Sequence, residues 1–307
     1  MKTLTVFTPT FNRAYCLHQL YESLVRQKST DFLWLIIDDG SSDGTDELVK
    51  SWQDQNLIEI RYDYKPNGGM HTAHNRAYEL IDTELNMCID SDDYVTDDAI
   101  EKILSFWLKN KNPNVGAIYA LDATKDGSIL GDKYPDDLIS FQGWGCKIVI
   151  YNENKIHKVV GDKKCIAVTA YLKKYPPIPV FEGEKFYSLY WKQHFLERDY
   201  TILILNEPVC IVEYLPDGAS MNKFKQYFTN ARGFQHMRIM LMKISPTFKL
   251  RFMECIHYIN SSIILKDKHF FSKSSNKLLT ILAIPFGIVL YFYARYNYDK
   301  QLNLNKK

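Results

Sequence analysis

Short apolar runs and helical apolar stripes alternate along the first hundred residues. The runs lie at 4–7, 32–37, 57–64 and 85–89, and their lengths are typical of β-strands. Between them, apolar residues recur at spacings of three and four and predict three helices, with stripes at Leu17, Leu20, Tyr21, Leu24 and Val25, at Leu48, Val49 and Trp52, and at Ala73, Ala77, Leu80 and Ile81. This alternation predicts an α/β fold in which helices cover a mostly parallel sheet.

The rest of the chain divides by regularity and composition. Residues 113–220 mix strand-like runs with loops that carry Gly, Pro and Asp, and the runs are 115–121, 147–151, 200–205 and 209–214. From about residue 221, acidic residues nearly vanish, and two predicted helices at roughly 224–244 and 247–266 precede a charge-free run from Leu278 to Ala294. We therefore predict one domain over residues 1–220 and a basic helical extension over residues 221–307.

Charge separates these two parts more sharply than the overall balance shows. The whole chain has a formal net charge of +2, but residues 221–307 carry 15 Lys and Arg against 3 Asp and Glu, a net +12. Residues 1–220 therefore carry 23 against 33, a net −10. A basic, aromatic segment of marginal apolar length is typical of a peripheral anchor on an anionic membrane.

The tail allows other interpretations. Its helices could form a homo-oligomer, or the charge-free run could span a membrane, although basic residues on both flanks disfavour a span. Nucleic acid is disfavoured as a partner because apolar bulk dominates the tail. The six cysteines form no C-x-x-C motif and predict neither a zinc site nor a disulfide framework, and the N-terminus fits a first strand better than a signal peptide, so a cytoplasmic location is expected.

Polar clusters follow each of the four predicted strands. They are Thr8–Asn12, Asp38–Ser41, Asn67–Gly69 and the sequence CIDSDDY at 88–94. Ligands bind beyond the carboxyl ends of strands in open α/β sheets, so the clusters are expected to share one edge. Asp90, Asp92 and Asp93 would repel one another without a cation between them, and we therefore predict Mg²⁺ or Mn²⁺ at this cluster. The alternative is that Asp92, Asp93, Asp97 and Asp98 stabilise the positive N-terminus of the following helix.

Two further clusters fit a nucleotide. The ring of Phe11 can stack on a pyrimidine and the carboxylate of Asp39 can accept a hydrogen bond from the base, although Phe11 taken alone fits a core position better. Glycines at 68 and 69 let backbone N–H groups approach a pyrophosphate, because glycine has no Cβ to keep the ligand away. The helix that follows presents a positive N-terminus.

Taken in order, TPTFN, IIDDGSSDGT, NGG followed by Ala73-His74-Asn75, and IDSDD resemble the inverting glycosyltransferases of family 2. The resemblance is strong over about residues 1–110 and looser to about 220. It implies a Rossmann-like GT-A fold, a nucleotide-diphosphate-sugar donor, most often a UDP-sugar, and Mn²⁺ or Mg²⁺. The resemblance implies that Asp39 binds the nucleotide base, that Asp90 binds the donor ribose or sugar and that Asp92 binds the metal. The donor-binding candidates are Pro9, Phe11, Asp39, Asn67, Gly69, His71, His74, Asn75 and Asp90.

The chain departs from the family pattern at two places. His74 stands where many members have Arg, which leaves His71, His74 or Arg76 as the positive partner of the pyrophosphate. The acidic motif is often Glu-Asp in the family, and Lys185 stands where the aspartate is common. An inverting transferase needs one carboxylate to deprotonate the acceptor, for which Glu184 is the first candidate and Glu182 the second. Both could instead be solvated loop residues.

These observations predict a metal-dependent inverting glycosyltransferase that moves a sugar from a UDP-sugar to a glycan acceptor, expected to be polyprenyl-linked, in cell-surface polysaccharide, capsule or teichoic-acid synthesis. Residues 1–110 would bind the nucleotide and residues 111–220 the acceptor. A segment at 214–220 resembles a loop of the family that closes near the donor and the acceptor. The alternative is a non-catalytic sugar-nucleotide-binding or scaffold protein on the same fold, suggested by His74 and Lys185. A sugar-1-phosphate nucleotidyltransferase is disfavoured, since TPTFNR lacks its Gly-rich signature.

Overall fold

The structure is a computed structural model that describes residues 2–143, 145–146, 149–152, 155–213 and 223–304. The predicted loop at 214–220 lies outside the described residues. Over the described residues the chain forms two compact units, Met1–Pro177 with Lys192–Leu215, and Ile178–Trp191 with Pro216–Lys307. The segment Ile178–Trp191 thus groups with the C-terminal helices, whereas the sequence placed it with the first domain.

The first unit contains the strands and the N-terminal helices. In chain order they are β1 (Leu4–Thr10), α1 (Ala14–Val25), β2 (Phe32–Asp38), α2 (Thr45–Gln55), β3 (Ile60–Tyr64), α3 (Met70–Leu80), β4 (Leu85–Cys88), β5 (Tyr94–Val95), α4 (Ala99–Asn110), β6 (Val115–Ala123), β7 (Ser140–Phe141), β8 (Gly145–Cys146), β9 (Val149–Asn152), β10 (Lys155–Lys158), β11 (Lys163–Val168), α5 (Thr169–Leu172), α6 (Trp191–Asp199) and β12 (Thr201–Ile211). Helix α6 begins at the boundary between the units.

The main sheet has the strand order β3-β2-β1-β4-β11-β6-β12-β5, and β7 pairs with β12. Strands β1 to β4 are parallel neighbours, and β12 is parallel to β6. Strand β11 is antiparallel to both β4 and β6, so it begins at the edge where those two strands end. The predicted α/β fold is confirmed, but the main sheet is mixed, because four of its described strand pairings are parallel and four are antiparallel. Strands β8, β9 and β10 form a separate antiparallel sheet.

Strand β2 shows how both faces of the sheet are covered. Each of its residues is buried, which accounts for its uninterrupted apolar sequence. Phe32, Trp34 and Ile36 pack with α1, α2 and α4 on one face. Leu33, Leu35 and Ile37 pack with α3 on the other. Burying each such side chain contributes roughly 1.5–3 kcal/mol, so a polar substitution on either face would be costly.

The second unit is helical. Its helices from residue 223 on are α7 (Lys223–Thr229), α8 (Ala231–Ile244), α9 (Phe248–Ile264), α10 (Phe270–Lys273) and α11 (Lys277–Leu304). Its core includes Met242 of α8, Tyr258 and Ile259 of α9, and Leu279 and Ala283 of α11. By length and composition, Lys277–Leu302 is the single helix among the described residues that could cross a membrane.

The helix predicted at 224–244 is interrupted at Asn230. This residue has a φ of −133° and is the N-cap of α8. Its side-chain oxygen accepts hydrogen bonds from the backbone N–H groups of Lys185 and Phe186, both at 3.0 Å. A contact distant in sequence therefore sets the start of α8, which local periodicity does not report.

Candidate active site

Asp39, at the end of β2, organises the turn that precedes α3. Its buried carboxylate accepts hydrogen bonds from the N–H groups of Gly68 at 3.0 Å and Gly69 at 2.7 Å, and it pairs with Lys65. The amide of Asn67 donates to the backbone oxygen of Asp39 at 2.8 Å. The N–H groups expected to face a pyrophosphate thus face Asp39, and the turn is held in place by this carboxylate.

Close approach of the two turns requires glycine at position 40. Gly40 has a φ of +90°, and a Cβ added there would lie 2.8 Å from the backbone nitrogen of Asn67. Any other residue would therefore be strained and would push the turns apart. Glycine at this position thus brings Asp39 within reach of Gly68 and Gly69.

The loop after β1 joins the same assembly through Asn12. Its side-chain oxygen accepts a hydrogen bond from Ser42 N–H at 2.8 Å, and its own N–H donates to the Ser41 hydroxyl at 2.9 Å. Pro9 is buried within β1, but Phe11 is 46% exposed. The core position that Phe11 alone would suggest is therefore wrong, and its ring stands exposed where a base could stack.

The aspartates of CIDSDDY divide between the surface and the interior. Asp93 is buried, and one of its oxygens accepts a hydrogen bond from Glu213 N–H at 3.2 Å. Asp90 and Asp92 are partly exposed, and Oδ2 of Asp92 lies 3.5 Å from a guanidinium nitrogen of Arg13. Asp93 therefore supports the loop, whereas Asp90 and Asp92 are accessible to a ligand.

Lys164 neutralises the buried part of this cluster. It lies at the start of β11, and its Nζ is 3.8 Å from oxygens of both Asp93 and Asp122. Burial acts to lower the pKa of Lys164, but Asp122 and Asp93 raise it well above its usual range. Burial raises the pKa of Asp93 to about 8, with a contribution from Asp90. Carboxyl groups outnumber the nearby cations at this edge, so added positive charge would be stabilised there.

A hard divalent cation fits this edge if a bound substrate supplies part of its coordination. Asp90 and Asp92 offer partly exposed carboxylates of the kind that Mg²⁺ and Mn²⁺ prefer. Among the described residues, no group of three His, Cys, Asp or Glu side chains could hold a metal by itself. Because Mg²⁺ is commonly bound by one or two carboxylates together with substrate phosphates, the donor set fits a cation completed by a diphosphate.

The predicted positive partners of the pyrophosphate have other surroundings. His74 is buried beside Phe7 and Cys88, and burial lowers its pKa to about 4, so the ring is neutral at pH 7. Arg76 forms a bidentate pair with Asp63, with both distances at 2.8 Å. His71 is also buried. The positive partner among His71, His74 and Arg76 stays a prediction, and the structure adds Arg13, which lies beside Asp92.

Replacement of His74 by Gln is expected to remove a pH dependence of stability. In the unfolded chain the histidine has its ordinary pKa of 6.5, whereas in the folded protein its pKa is about 4, so stability is lost as pH falls between these values. Between pH 7 and pH 5 the loss should be about 2 kcal/mol. Urea unfolding of the unchanged protein and of His74→Gln at the two pH values measures this loss of stability. An equal loss in His74→Gln would show that His74 is not its cause.

Glu184 lies in the second unit, where it caps α8. One of its oxygens accepts the N–H of Arg232 at 2.9 Å, and the other accepts the N–H of Gly233 at 2.8 Å. Its side chain is 8% exposed, so the alternative of a solvated loop residue is wrong for Glu184. Glu182 is exposed. The assignment of either residue as the catalytic base stays a prediction, as do the roles of the donor-binding residues.

The sequence did not indicate three residues that lie at this edge. Arg13 directly follows the TPTFN motif, and that adjacency was the available signal. Lys164 and Asp122 lie on strands whose register could not be predicted, and β11 was not predicted at all. In the sequence, Lys164 is one of two consecutive lysines before a short apolar run, which gives no indication that it is buried.

Sequence relatives share the N-terminal part of the chain. Chondroitin synthase of Pasteurella multocida is 30% identical over 133 residues, which is 43% of this chain and 14% of that protein. Poly(ribitol-phosphate) β-N-acetylglucosaminyltransferase TarP of Staphylococcus aureus is 28% identical over 124 residues, 40% of this chain and 38% of that protein. The chain thus spans well under half the length of these relatives.

Two solved structures are similar over nearly the whole chain. S. aureus TarS 1–349 in complex with UDP-GlcNAc superposes with a TM-score of 0.56 at 17% identity, covering 98% of this chain and 92% of that one. Mannosyltransferase PcManGT from Pyrobaculum calidifontis, in complex with GDP-Man and Mn²⁺, gives 0.56 at 17% identity, covering 97% and 84%. At these identities the likeness shows the fold, which is the expected GT-A fold.

Fold and sequence agree on the family of the N-terminal domain. Residues 5–156 match the family described as Glycosyl transferase family 2. Through this domain, the chain belongs to glycosyl transferase family 2.

Proposed function

We propose that this protein is a metal-dependent inverting glycosyltransferase that moves a sugar from a UDP-sugar to a glycan acceptor in cell-surface polysaccharide synthesis. The observation that carries the proposal is the shared sheet edge, where the turn held by Asp39 and the accessible Asp90 and Asp92 follow β2, β3 and β4 of a family 2 domain. Relatives named for chondroitin and poly(ribitol-phosphate) glycosylation, and the UDP-GlcNAc complex of TarS, support the donor and acceptor classes.

The residues of this edge would bind the donor in distinct ways. The exposed ring of Phe11 stacks on the base, beside the turn that Asp39 and Asn67 hold. Asp90 binds the ribose or the sugar, and Asp92 holds Mn²⁺ or Mg²⁺. When bound, the cation would stabilise negative charge on the departing diphosphate. Arg13, 3.5 Å from Asp92, is positioned to contact diphosphate oxygens as well.

The acceptor hydroxyl must lose its proton to a base, and we assign this role to Glu184, with Glu182 as the second candidate. A carboxylate has about four acceptor positions. The backbone N–H groups of Arg232 and Gly233 and the Arg232 side chain occupy three of those of Glu184. Among the described residues these contacts leave a fourth position to accept a proton, and they fix the orientation of the carboxylate.

We expect Glu184→Gln to lower UDP release by about 10²–10⁴-fold, the usual contribution of a general base. Glu182→Gln should change it by less than about tenfold. A panel of UDP-sugars and GDP-sugars with Mn²⁺ first identifies the donor, and calorimetry with UDP controls for donor binding, which neither change should weaken. Undiminished release in both variants would contradict the choice of base.

The same measurements separate an enzyme from a non-catalytic scaffold. A scaffold would bind UDP but release none from any UDP-sugar, and a protein without metal-dependent nucleotide binding would contradict the proposed activity.

We further propose that the acceptor is polyprenyl-linked and that the enzyme is peripheral on the cytoplasmic face of the membrane. The net charge of +12 over residues 221–307 supports this location.

A further inference from the structure

Helix α11 is apolar around most of its circumference, yet the residues that the structure describes cover only one of its faces. Leu279, Ala283 and Gly287 face α9, and a Cβ added to Gly287 would lie 2.4 Å from Ile259. The residues of the opposite face are each 40% exposed or more, and they are Leu278, Ile281, Leu282, Phe286, Ile288, Val289, Phe292, Tyr293 and Tyr296. We call them the α11 stripe. Continuous exposed apolar surface of this kind marks an interaction site.

A cavity of about 360 Å³ lies beside the stripe, between α9, α10 and α11. Its apolar wall includes Ile259, Ile263 and Phe270, and Ile284 lines it from α11. Ile288 belongs both to this cavity and to the stripe. The volume lies within the range of small-ligand pockets, and the lining suits a hydrocarbon chain.

Positive charge lies where this cavity meets solvent. Lys266 and Lys268 line it and are exposed. The carboxylate of Asp267 between them is paired with Lys273 at 2.7 Å and accepts a hydrogen bond from Gln235 at 2.9 Å. Asp267 is therefore already neutralised, and the two lysines are suited to an anionic head group.

The packing of α11 favours a position along a membrane surface over a span. Helix α9, which packs against α11, carries Lys249, Arg251 and Glu254. A spanning α11 would either leave α9 or draw these charges into hydrocarbon, at roughly 2.5–3.5 kcal/mol for each basic residue at the bilayer centre. Phe292, Tyr293 and Tyr296 at one end of the stripe are residue types that favour the membrane interface.

We propose that the α11 stripe lies on an anionic bilayer and that the cavity binds one apolar chain of an anionic lipid, whose phosphate group contacts Lys266 and Lys268. The inference rests on the membrane contact of the proposed function and is independent of the transfer chemistry. A phospholipid and an isoprenoid phosphate share the chemistry that this site would recognise.

Vesicle flotation of the full chain tests the stripe. Binding is expected to vesicles of phosphatidylcholine with phosphatidylglycerol, to fall with added salt, and to be weak on phosphatidylcholine alone. Phe286→Glu with Val289→Glu, and Lys266→Glu with Lys268→Glu, should each lower binding at least tenfold. Lys50→Glu with Lys109→Glu changes net charge equally from exposed positions of the other unit and should leave binding intact.

Two results of this experiment would overturn the stripe assignment. One is equal binding to neutral and anionic vesicles. The other is a dimer in sedimentation that Phe286→Glu with Val289→Glu dissociates, since the stripe would then be an interface between copies. Retained UDP binding with Mn²⁺ in all variants separates a failure of this inference from a failure of the proposed activity.

Calorimetry with dodecyl phosphate and farnesyl phosphate, below micelle formation, tests the cavity. One molecule per chain is expected, and Ile263→Trp or Ile284→Trp, which fill the cavity from opposite walls, should weaken binding at least tenfold while vesicle binding persists. Tighter binding of farnesyl phosphate would support an isoprenoid source, and tighter binding of dodecyl phosphate a phospholipid. Unchanged binding in both tryptophan variants, or displacement by inorganic phosphate alone, would overturn the proposal.

Discussion

Asp92→Asn is expected to lower sugar transfer by about 10³-fold, since loss of several kcal/mol of charge stabilisation on the leaving diphosphate costs a factor of ten for each 1.36 kcal/mol. Asp92 lies in the loop after β4, at the edge where the parallel strands end. Its side chain is partly exposed, so its carboxylate can reach a bound ligand. The amide keeps the size of the side chain but removes the negative charge that a divalent cation requires. The direct readout is UDP binding by calorimetry with and without Mn²⁺.

The size of the metal effect identifies the role of Asp92. In the unchanged protein Mn²⁺ should strengthen UDP binding, and in Asp92→Asn this strengthening should vanish while weak, metal-independent binding through Phe11 and Asp39 remains. Asp97→Asn is the matched control, because Asp97 is exposed and its ion pair with Arg26, at 3.2 Å, lies on the surface. An undiminished Mn²⁺ effect in Asp92→Asn would show that the cation is held elsewhere.

The N-terminal half of the fold was predictable because the apolar pattern of each of its elements is regular. Strand β2 is an uninterrupted apolar run, and helices α1 and α2 present regular stripes, so period and length suffice to recognise them. The carboxyl ends of parallel strands necessarily share an edge, which is why the clusters at Asp39 and Asp92 could be placed together from sequence.

The second half was less predictable because long-range pairing decides it. Residues 201–211 form one strand with register shifts near Pro208, where the sequence predicted two separate runs. Strand β11 inserts antiparallel between β4 and β6, and its first residues are lysines that do not indicate a strand. Lys164, and with it the charge balance of the site, was therefore not predictable from periodicity.

Hydrogen-bond partners also could not be predicted from the sequence. NGG indicated an irregular segment before α3, but the acceptor of its glycine N–H groups is Asp39, whose own role was assigned separately. Likewise, the motif around Glu184 indicated an acidic loop, whereas the structure shows a carboxylate that caps α8. In both cases the residue type was informative, and the partner depended on tertiary packing.

Lys164→Met is expected to destabilise the first unit by about 3–5 kcal/mol, the usual cost of removing one partner from a buried ionic group. The side chain of Lys164 is 12% exposed, and its amine lies 3.8 Å from carboxyl oxygens of Asp93 and Asp122, which are themselves buried. Methionine preserves much of the apolar stem but leaves these carboxyl groups without their shared cation. Urea unfolding followed by tryptophan fluorescence measures the loss.

Lys163→Met provides the matched control because the neighbouring amine contacts backbone oxygens of Val160 and Gly161. It should cost less than about 1.5 kcal/mol, the usual net contribution of such hydrogen bonds. Adding Asp122→Asn to Lys164→Met should recover part of the stability, since it removes a buried carboxyl group that has lost its neighbouring amine. Equal costs for the two lysine variants would show that the ionic contacts of Lys164 contribute little. A large cost with partial recovery would show that Lys164, on β11 and remote in sequence from Asp93, stabilises the buried carboxyl groups of this edge.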